Sequence, residues 1–326
     1  MKLPKWTPIV LLALIGGCSS DSAAPAAKTL KVALLTPDQI SDAGWSAMAY
    51  DGLMQIKKDM GAEVNNEVAE DPGAITEAMR AYAQKGYDIV FGHGFEYNAP
   101  AIKVAKDFPK TVFVSSSGGE TAPNVGAFRF YLEQGFYLAG YMAASMSKTG
   151  KIAEIGGDDV PSIRSTFDGF EAGAKAAKPN IVIITKFTGN GNDIAAAKEA
   201  TLAAISQGAD FVIHQADAGA QGVFDACKAK GVYALGSNLD QNNDASGVVI
   251  ASAVIDAGPA FETLAKEVQA GTFKGSIELM GMDTGAIDFV INPKLQDKVP
   301  AALVTKLADL KKQIAAGTIK VPMRKF

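Results

Sequence analysis

Short uninterrupted runs of aliphatic and β-branched residues recur along the chain, at residues 31–35, 88–91, 111–114, 151–155, 181–187, 211–214, 232–235, 248–254 and 277–280. Runs of that length without polar alternation mark strands covered on both faces, as in parallel sheets. Between them, at residues 74–84, 99–107, 133–147, 162–175, 193–207 and 218–230, apolar positions fall three and four residues apart, the spacing of helices with one buried face. After the first run, Ala49, Leu53, Ile56 and Met60 repeat that spacing. The alternation predicts an α/β fold of parallel sheet with helices on both faces.

The pattern also echoes itself. Gln84, Lys85, Gly86, Tyr87, Asp88, Ile89 and Val90 return loosely as Gln207, Gly208, Ala209, Asp210, Phe211 and Val212, each time ending a helix at glycine and entering a strand. A polar loop (92–98; 215–219), a helix and another apolar strand (112–114; 233–235) follow both copies. About 300 residues exceed what one core usually holds, so two similar halves predict two α/β domains facing one another. A ligand held between them would be met by strand-end loops from both sides.

The beginning of the chain, MKLPKWTPIVLLALIGGC, has Lys2 and Lys5, then an apolar run from Ile9 to Ile15, then Gly16, Gly17 and Cys18. A basic start, a short apolar middle and small residues at a processing point make residues 1–18 a secretory signal, too short to span a bilayer. Leu14 to Cys18 also resembles a bacterial lipobox, whose cysteine is lipidated and becomes the new N-terminus. The alternative is an ordinary cleaved signal with an incidental cysteine. Residues 19–29, small and polar, read as a flexible tether.

Processing removes Lys2 and Lys5 from the 31 Lys and Arg and none of the 35 Asp and Glu, which leaves 29 bases and a net charge of −6. An acidic surface without Lys/Arg runs argues against nucleic acid as a partner and against a polybasic membrane patch. Only Cys227 remains besides Cys18, so the folded body has no internal disulfide, and Cys227 on a helical stretch reads as a small buried apolar group.

No catalytic constellation stands out. His93 and His214 are the only histidines, and neither has a metal-ligand spacing with another His, Cys or acid cluster. A nucleophile elbow, a Walker sequence and a dinucleotide fingerprint are all absent. Glu154, Asp158 and Asp159 flank a GGDD turn, where paired acids are usually solvated. A binding protein is favoured over an enzyme, with no catalytic residue, metal or cofactor expected.

What the chain offers is polar and aromatic side chains at strand ends, where open α/β sheets bind ligands. The loop 36–46 carries Asp42, Gly44 and Trp45 just before a helix. Phe95, Glu96 and Tyr97 follow the strand at 88–91, and Asn192 and Asp193 open a helix after the strand that ends in Phe187. His214, Gln215 and Asp217 end another strand, Asn238 and Asp240 the next, and Asp256 the one after. Carboxylates and amides beside Trp45, Phe95, Tyr97 and Phe187 suit a flat, hydrogen-bonding ligand, neutral or weakly cationic. A phosphorylated ligand would want arginines, and Arg164 alone lies near these loops. Each residue has a plainer reading: Asp42, Asn192, Asp193 and Asp256 as helix caps, Trp45 and Phe187 as core.

Nearly the whole mature chain resembles the basic membrane protein family of substrate-binding lipoproteins that serve ABC importers. The resemblance is carried by residues 42–52 (DAGWSAMAYDG), 101–113 (AIKVAKDFPKTVF), 133–157 (EQGFYLAGYMAASMSKTGKIAEIGG), 206–211 (SQGADF) and 231–241 (GVYALGSNLDQ). It implies a type I periplasmic-binding fold, two doubly wound parallel-sheet lobes joined by three hinge crossovers. The first lobe would take residues 30–148 and about 252–280, the second 149–251 and about 281–326. It also implies purine nucleosides or bases as ligands, capture by closure of the lobes, a permease as partner and a lipid-anchored position facing the periplasm or cell exterior.

The site residues carry over in part. Where nucleoside-binding members have Phe and Asn after the first Asp and small residue, this chain has Trp45 and Ser46. An aspartate expected after the fourth strand is replaced within Ser115, Ser116 and Ser117, and a ribose-binding lysine falls at about Ile255, beside Asp256. Asp240 matches the acid that holds the ribose. The missing lysine and acid count against a nucleoside, and the Gly44–Trp45 loop and the stretch Asp256 to Pro259 look more similar to members that bind a free base, so the expectation is a purine base or nucleoside. Trp45 with Phe95 or Tyr97 would sandwich the ring, and Asp217, Asp240 and Asp256 would accept its N–H groups. Three alternatives remain: another heteroaromatic or a sugar as ligand, a sensory receptor lipoprotein, or a periplasmic nucleoside-processing enzyme.

Overall fold

The computed structural model describes residue 1, residues 29–41 and residues 44–325. Cys18, most of the leader and tether, and Asp42 lie outside the described residues. The elements run β1 (Lys31–Thr36), α1 (Trp45–Met60), β2 (Glu63–Val68), α2 (Pro72–Gln84), β3 (Ile89–Gly92), α3 (Asn98–Ala105), β4 (Val112–Ser116), β5 (Val125–Phe130), α4 (Glu133–Met146) and β6 (Lys151–Gly156). They continue with α5 (Pro161–Ala177), β7 (Val182–Phe187), α6 (Ile194–Ser206), β8 (Phe211–Gln215), α7 (Ala220–Lys230), β9 (Tyr233–Asn238), β10 (Val249–Ile255), α8 (Ala257–Ala270), β11 (Ile277–Met280), β12 (Ile287–Ile291) and α9 (Ala301–Ala315).

Two six-stranded sheets result, ordered β11-β5-β4-β3-β1-β2 and β12-β10-β9-β8-β6-β7. The order is the same in both once the strands are matched, and the repeated sequence falls on matched positions. The amide of Asp88 donates to the Lys31 carbonyl at 2.9 Å and that of Asp210 to the Lys151 carbonyl at 3.1 Å. Among the described residues the strands within each sheet pair in parallel except β12 with β10, which are antiparallel. An apolar cluster beneath α2 and α3 fills one face of the first sheet, and another beneath α6 and α7 fills one face of the second. A third spans the remaining faces and runs through the junction. Cys227 is buried in the second of these clusters, and burial pushes its thiol up to about 12, as befits an apolar filler.

The chain passes between the sheets three times among the described residues: after β5, after β10 and after β11. The first passage corrects the expected lobe boundary at residue 148, because α4 packs against α5, β10 and α9 and so belongs with the second sheet. Glycines make that helix pair close: a Cβ on Gly140 would overlap the Phe170 carbonyl, and one on Gly173 the Tyr137 carbonyl. Residues 252–255, expected in the first lobe, likewise lie in β10 of the second sheet. Among the described residues no helix is long and apolar enough to cross a membrane.

Candidate ligand-binding site

The carboxyl ends of both sheets converge on a cavity of about 430 Å³. From the first sheet come Pro37, Asp38, Trp45, Phe95, Glu96, Ser117 and Arg129, and from the second Asp158, Ile163, Gln215, Asp217 and Asn238. The size is that of a small-molecule pocket.

Trp45 opens α1, and its indole is held from behind. The ring stacks on the His93 imidazole with centroids 3.8 Å apart and an interplanar angle of 26°, and meets Phe130 edge-on at 6.3 Å. Its Nε1–H donates to the His93 carbonyl at 3.2 Å. His93 is fully buried, with Nδ1 3.1 Å from the Ser116 hydroxyl, and burial pushes its pKa down to about 3. A neutral imidazole thus backs the indole throughout the physiological range, leaving the opposite indole face toward the cavity.

The lobes meet at the backbone of this residue. The Trp45 amide lies 3.4 Å from Oδ1 of Asp217, which rides on the loop after β8. Gly44 permits the approach, since a Cβ there would stand 2.8 Å from the same oxygen.

Two residues other than glycine have left-handed backbone among the described residues, Ser117 at φ 63° and Asn238 at φ 64°, and both line the cavity. They occupy matched places, at the ends of β4 and β9. Backbone of this kind costs on the order of 1 kcal/mol and tends to persist where a site needs it. Asn238 is 6% exposed, and its Oδ1 is buried without a hydrogen-bond partner. The expected result of Asn238→Gly is a thermal midpoint close to wild type, since glycine accepts this φ, with ligand affinity reduced about tenfold as the amide is lost. Calorimetric melting and titration on one sample check both halves.

Charge at the cavity is one-sided. Asp38, Glu70, Glu96, Glu133, Asp158 and Asp217 face a single guanidinium among the described lining residues, that of Arg129. Arg129 bonds to Oε1 of Glu133 and donates to the Ser165 hydroxyl at 3.1 Å and to the Arg324 carbonyl at 2.6 Å. Burial raises the pKa of Glu96, and it raises that of Glu133 despite the neighbouring guanidinium. Among the described residues no group of His, Cys, Asp or Glu could hold a metal ion.

Of the residues singled out at strand ends in the sequence, the structure brings Trp45, Phe95, Glu96, Gln215, Asp217 and Asn238 to the cavity lining. Ser46 is fully buried behind it. Tyr97 is also buried, its hydroxyl donating to the Ala69 carbonyl at 2.7 Å, whereas Phe95 two residues earlier is 58% exposed. Phe187 leans on Phe167 at 5.7 Å beneath the Arg164 guanidinium, outside the lining. Asn192 accepts from the Ala218 amide at 3.4 Å, Asp240 closes a turn on the Asn242 amide at 3.0 Å, and Asp256 caps α8 through the Gly258 amide at 3.0 Å. Asp240 and Asp256 satisfy local backbone, the plainer reading already open for Asp256, whereas Asn192 ties its loop to the one after β8 and the cap of α6 is Asp193, which accepts from the Ala196 amide at 2.9 Å. His214 is buried and bonded to Gln241 at 2.9 Å, its pKa pushed down to about 4 by burial.

Arg164 pairs with Asp159 and does not line the cavity, so the arginine of the site is Arg129, which is not among the strand-end candidates. Its signal was present: an arginine inside the apolar strand VGAFRF, four residues before a glutamate opening an apolar helix, is a buried charge in need of a partner.

A family model described as "ABC transporter substrate-binding protein PnrA-like" matches residues 29–325. The transcriptional activator protein med of Bacillus subtilis is 29% identical over 91% of this chain and 92% of its own length. A purine-binding protein of Brucella abortus is 27% identical over 89% of this chain and 83% of its own. The solved structure of an ABC transporter solute-binding protein from Conexibacter woesei, 27% identical, superposes with a TM-score of 0.76 over 90% of this chain and 99% of that one.

Proposed function

The chain belongs to the PnrA-like family of ABC-transporter substrate-binding proteins, a family of binders and not of enzymes, and from that premise we propose that it captures a purine base or nucleoside between its two lobes and delivers it to a permease. The observation that carries this reading is the Trp45 indole, held by His93 at the floor of a cavity whose walls come from both sheets. A flat ring stacks on such a surface, and the surrounding carboxylates and amides meet its N–H edges. The purine-binding relative supports the ligand class. Anchoring through a lipid on Cys18, outside the cytoplasm, completes the proposal and follows from the leader and lipobox in the sequence.

Once the leader is removed Trp45 is the single tryptophan, since the other of the two is Trp6. Titration with adenine, hypoxanthine, guanine and their nucleosides is expected to change its emission saturably for at least one of them. The 5′-monophosphates are expected to bind at least about 100-fold more weakly, because Arg129 is committed and the other charges facing the cavity are negative. No response to any purine, with a saturable response to a sugar or vitamin, would overturn the ligand class. Release of free base from adenosine or inosine would overturn the binding role itself.

The relative named as a transcriptional activator favours one other reading, a receptor that senses the same ligand without delivering it. Uptake of labelled ligand by cells with and without the gene separates them, since a receptor leaves uptake unchanged.

A further inference from the structure

After α9 the chain turns back across the junction of the two sheets as a strap, and its bonds reach both. Val321 is 4% exposed, and its carbonyl accepts from the Tyr131 hydroxyl at the first passage between the sheets. The Arg324 carbonyl accepts from Arg129 at 2.6 Å, and its amide donates to the Ser165 hydroxyl at 2.8 Å. The Arg324 side chain grips Asp168 with both nitrogens of its fork, Nη2 lying 2.7 Å from Oδ1.

These partners belong to different bodies. Arg129 sits on β5 of the first sheet, registered against Leu279 of β11, while Ser165 and Asp168 sit on α5, which packs with the second. Arg129 is also the guanidinium of the cavity wall, and the same group bonds to Glu133 at the start of α4, across the passage at residues 131–132. Parting the lobes by rotation at that passage requires the first sheet to move relative to α5, and the strap is bonded to both.

We propose that residues 321–324 are a positioning strap which, by tying Arg129 and Tyr131 to α5, holds the lobes in the closed arrangement and sets how long a ligand stays. The inference rests on the reading of the cavity as a site that closes over its ligand. Charge-assisted bonds from a planar fork have the directionality such a tie needs, and a tie of this kind acts on dissociation more than on association.

Truncation after Pro322 and the single change Asp168→Asn are each expected to raise the dissociation rate of the tightest purine ligand about tenfold, with the association rate changed less than twofold. The exchange Asp168→Arg with Arg324→Asp restores opposite charges and is expected to recover most of the wild-type rate, which loss of folding would not allow. A second measurement needs no ligand. Spin labels on Glu77→Cys and Lys198→Cys, exposed positions on α2 and α6, in a Cys18→Ser background, report the distance between lobes. Truncation is expected to shift that distribution toward longer distances. Unchanged dissociation and unchanged distances on truncation would overturn the strap while leaving the ligand reading intact. Failure of the wild-type protein to bind any purine would overturn the ligand reading, and the label distances would still decide the strap.

Discussion

Replacing Trp45 by alanine is expected to weaken purine binding about 100-fold, whereas Trp45→Phe stays within about tenfold of wild type. The indole is half-buried already, against His93 and Phe130, so a ligand ring covers roughly its remaining face, about 70 Å² at 25 cal/mol per Å², or about 2 kcal/mol. Stacking adds on the order of 1 kcal/mol beyond the area. Together these correspond to about two decades in Kd. Phenylalanine keeps a flat surface but loses the Nε1–H bond that fixes the ring over the His93 carbonyl. Isothermal titration measures the effect without needing the lost fluorophore. Phe187→Ala is the matching control: its ring packs on Phe167 away from the cavity, so affinity is expected to hold while stability falls. If the Phe187 change weakens binding as much as the Trp45 change, the cavity has been placed wrongly.

The contrast between these two aromatics shows what local sequence could and could not carry. Strands buried on both faces were legible because burial erases polar alternation, as at β6 and β10, whose residues are nearly all covered. The edge strand β2, reading EVNNEV, alternates exposed and half-buried positions and leaves no apolar run to notice. The strand β5, VGAFRF, is broken by Gly126 and Arg129, and its charge makes sense only with Glu133, Ser165 and the distant Arg324 in place. The repeat was legible and implied a shared hollow, yet which neighbour faces it is settled by one tight turn: Phe95 lines the cavity and Tyr97 enters the cluster beneath α2. Asp217 and Asp240 look alike in sequence. One reaches the facing lobe while the other closes its own turn, a difference of loop path and not of residue type.

The repeat also exposes one position where the halves disagree, and with it the second large effect. Matched by strand register, Leu34 of β1 corresponds to Glu154 of β6, and both are buried, Glu154 at 1% exposure. Oε1 of Glu154 accepts from the Thr185 hydroxyl at 2.8 Å, and Oε2 is buried without a partner. Burial, reinforced by Glu171 and Asp168 and opposed by the Thr185 bond and Lys175, pushes its pKa up to about 8. In the unfolded chain the same group titrates near 4.5. Between those values the folded protein holds a proton that the unfolded chain has released, so stability falls as pH climbs from about 4.5 to about 8 and levels off above. Glu154→Gln keeps the Thr185 bond and removes the ionisation, and Glu154→Leu copies the matched lobe. Both are expected to melt higher than wild type at pH 9 by a few degrees, on the order of 2 kcal/mol, with Glu154→Gln close to wild type at pH 5. Burial raises Glu96 and Glu133 in the same direction and the substitution leaves both in place, so the difference between wild type and Glu154→Gln isolates this carboxyl. Melting curves recorded from pH 5 to 9 decide the point, and parallel profiles for the two proteins would show that Glu154 ionises in the folded chain no less readily than in the unfolded one.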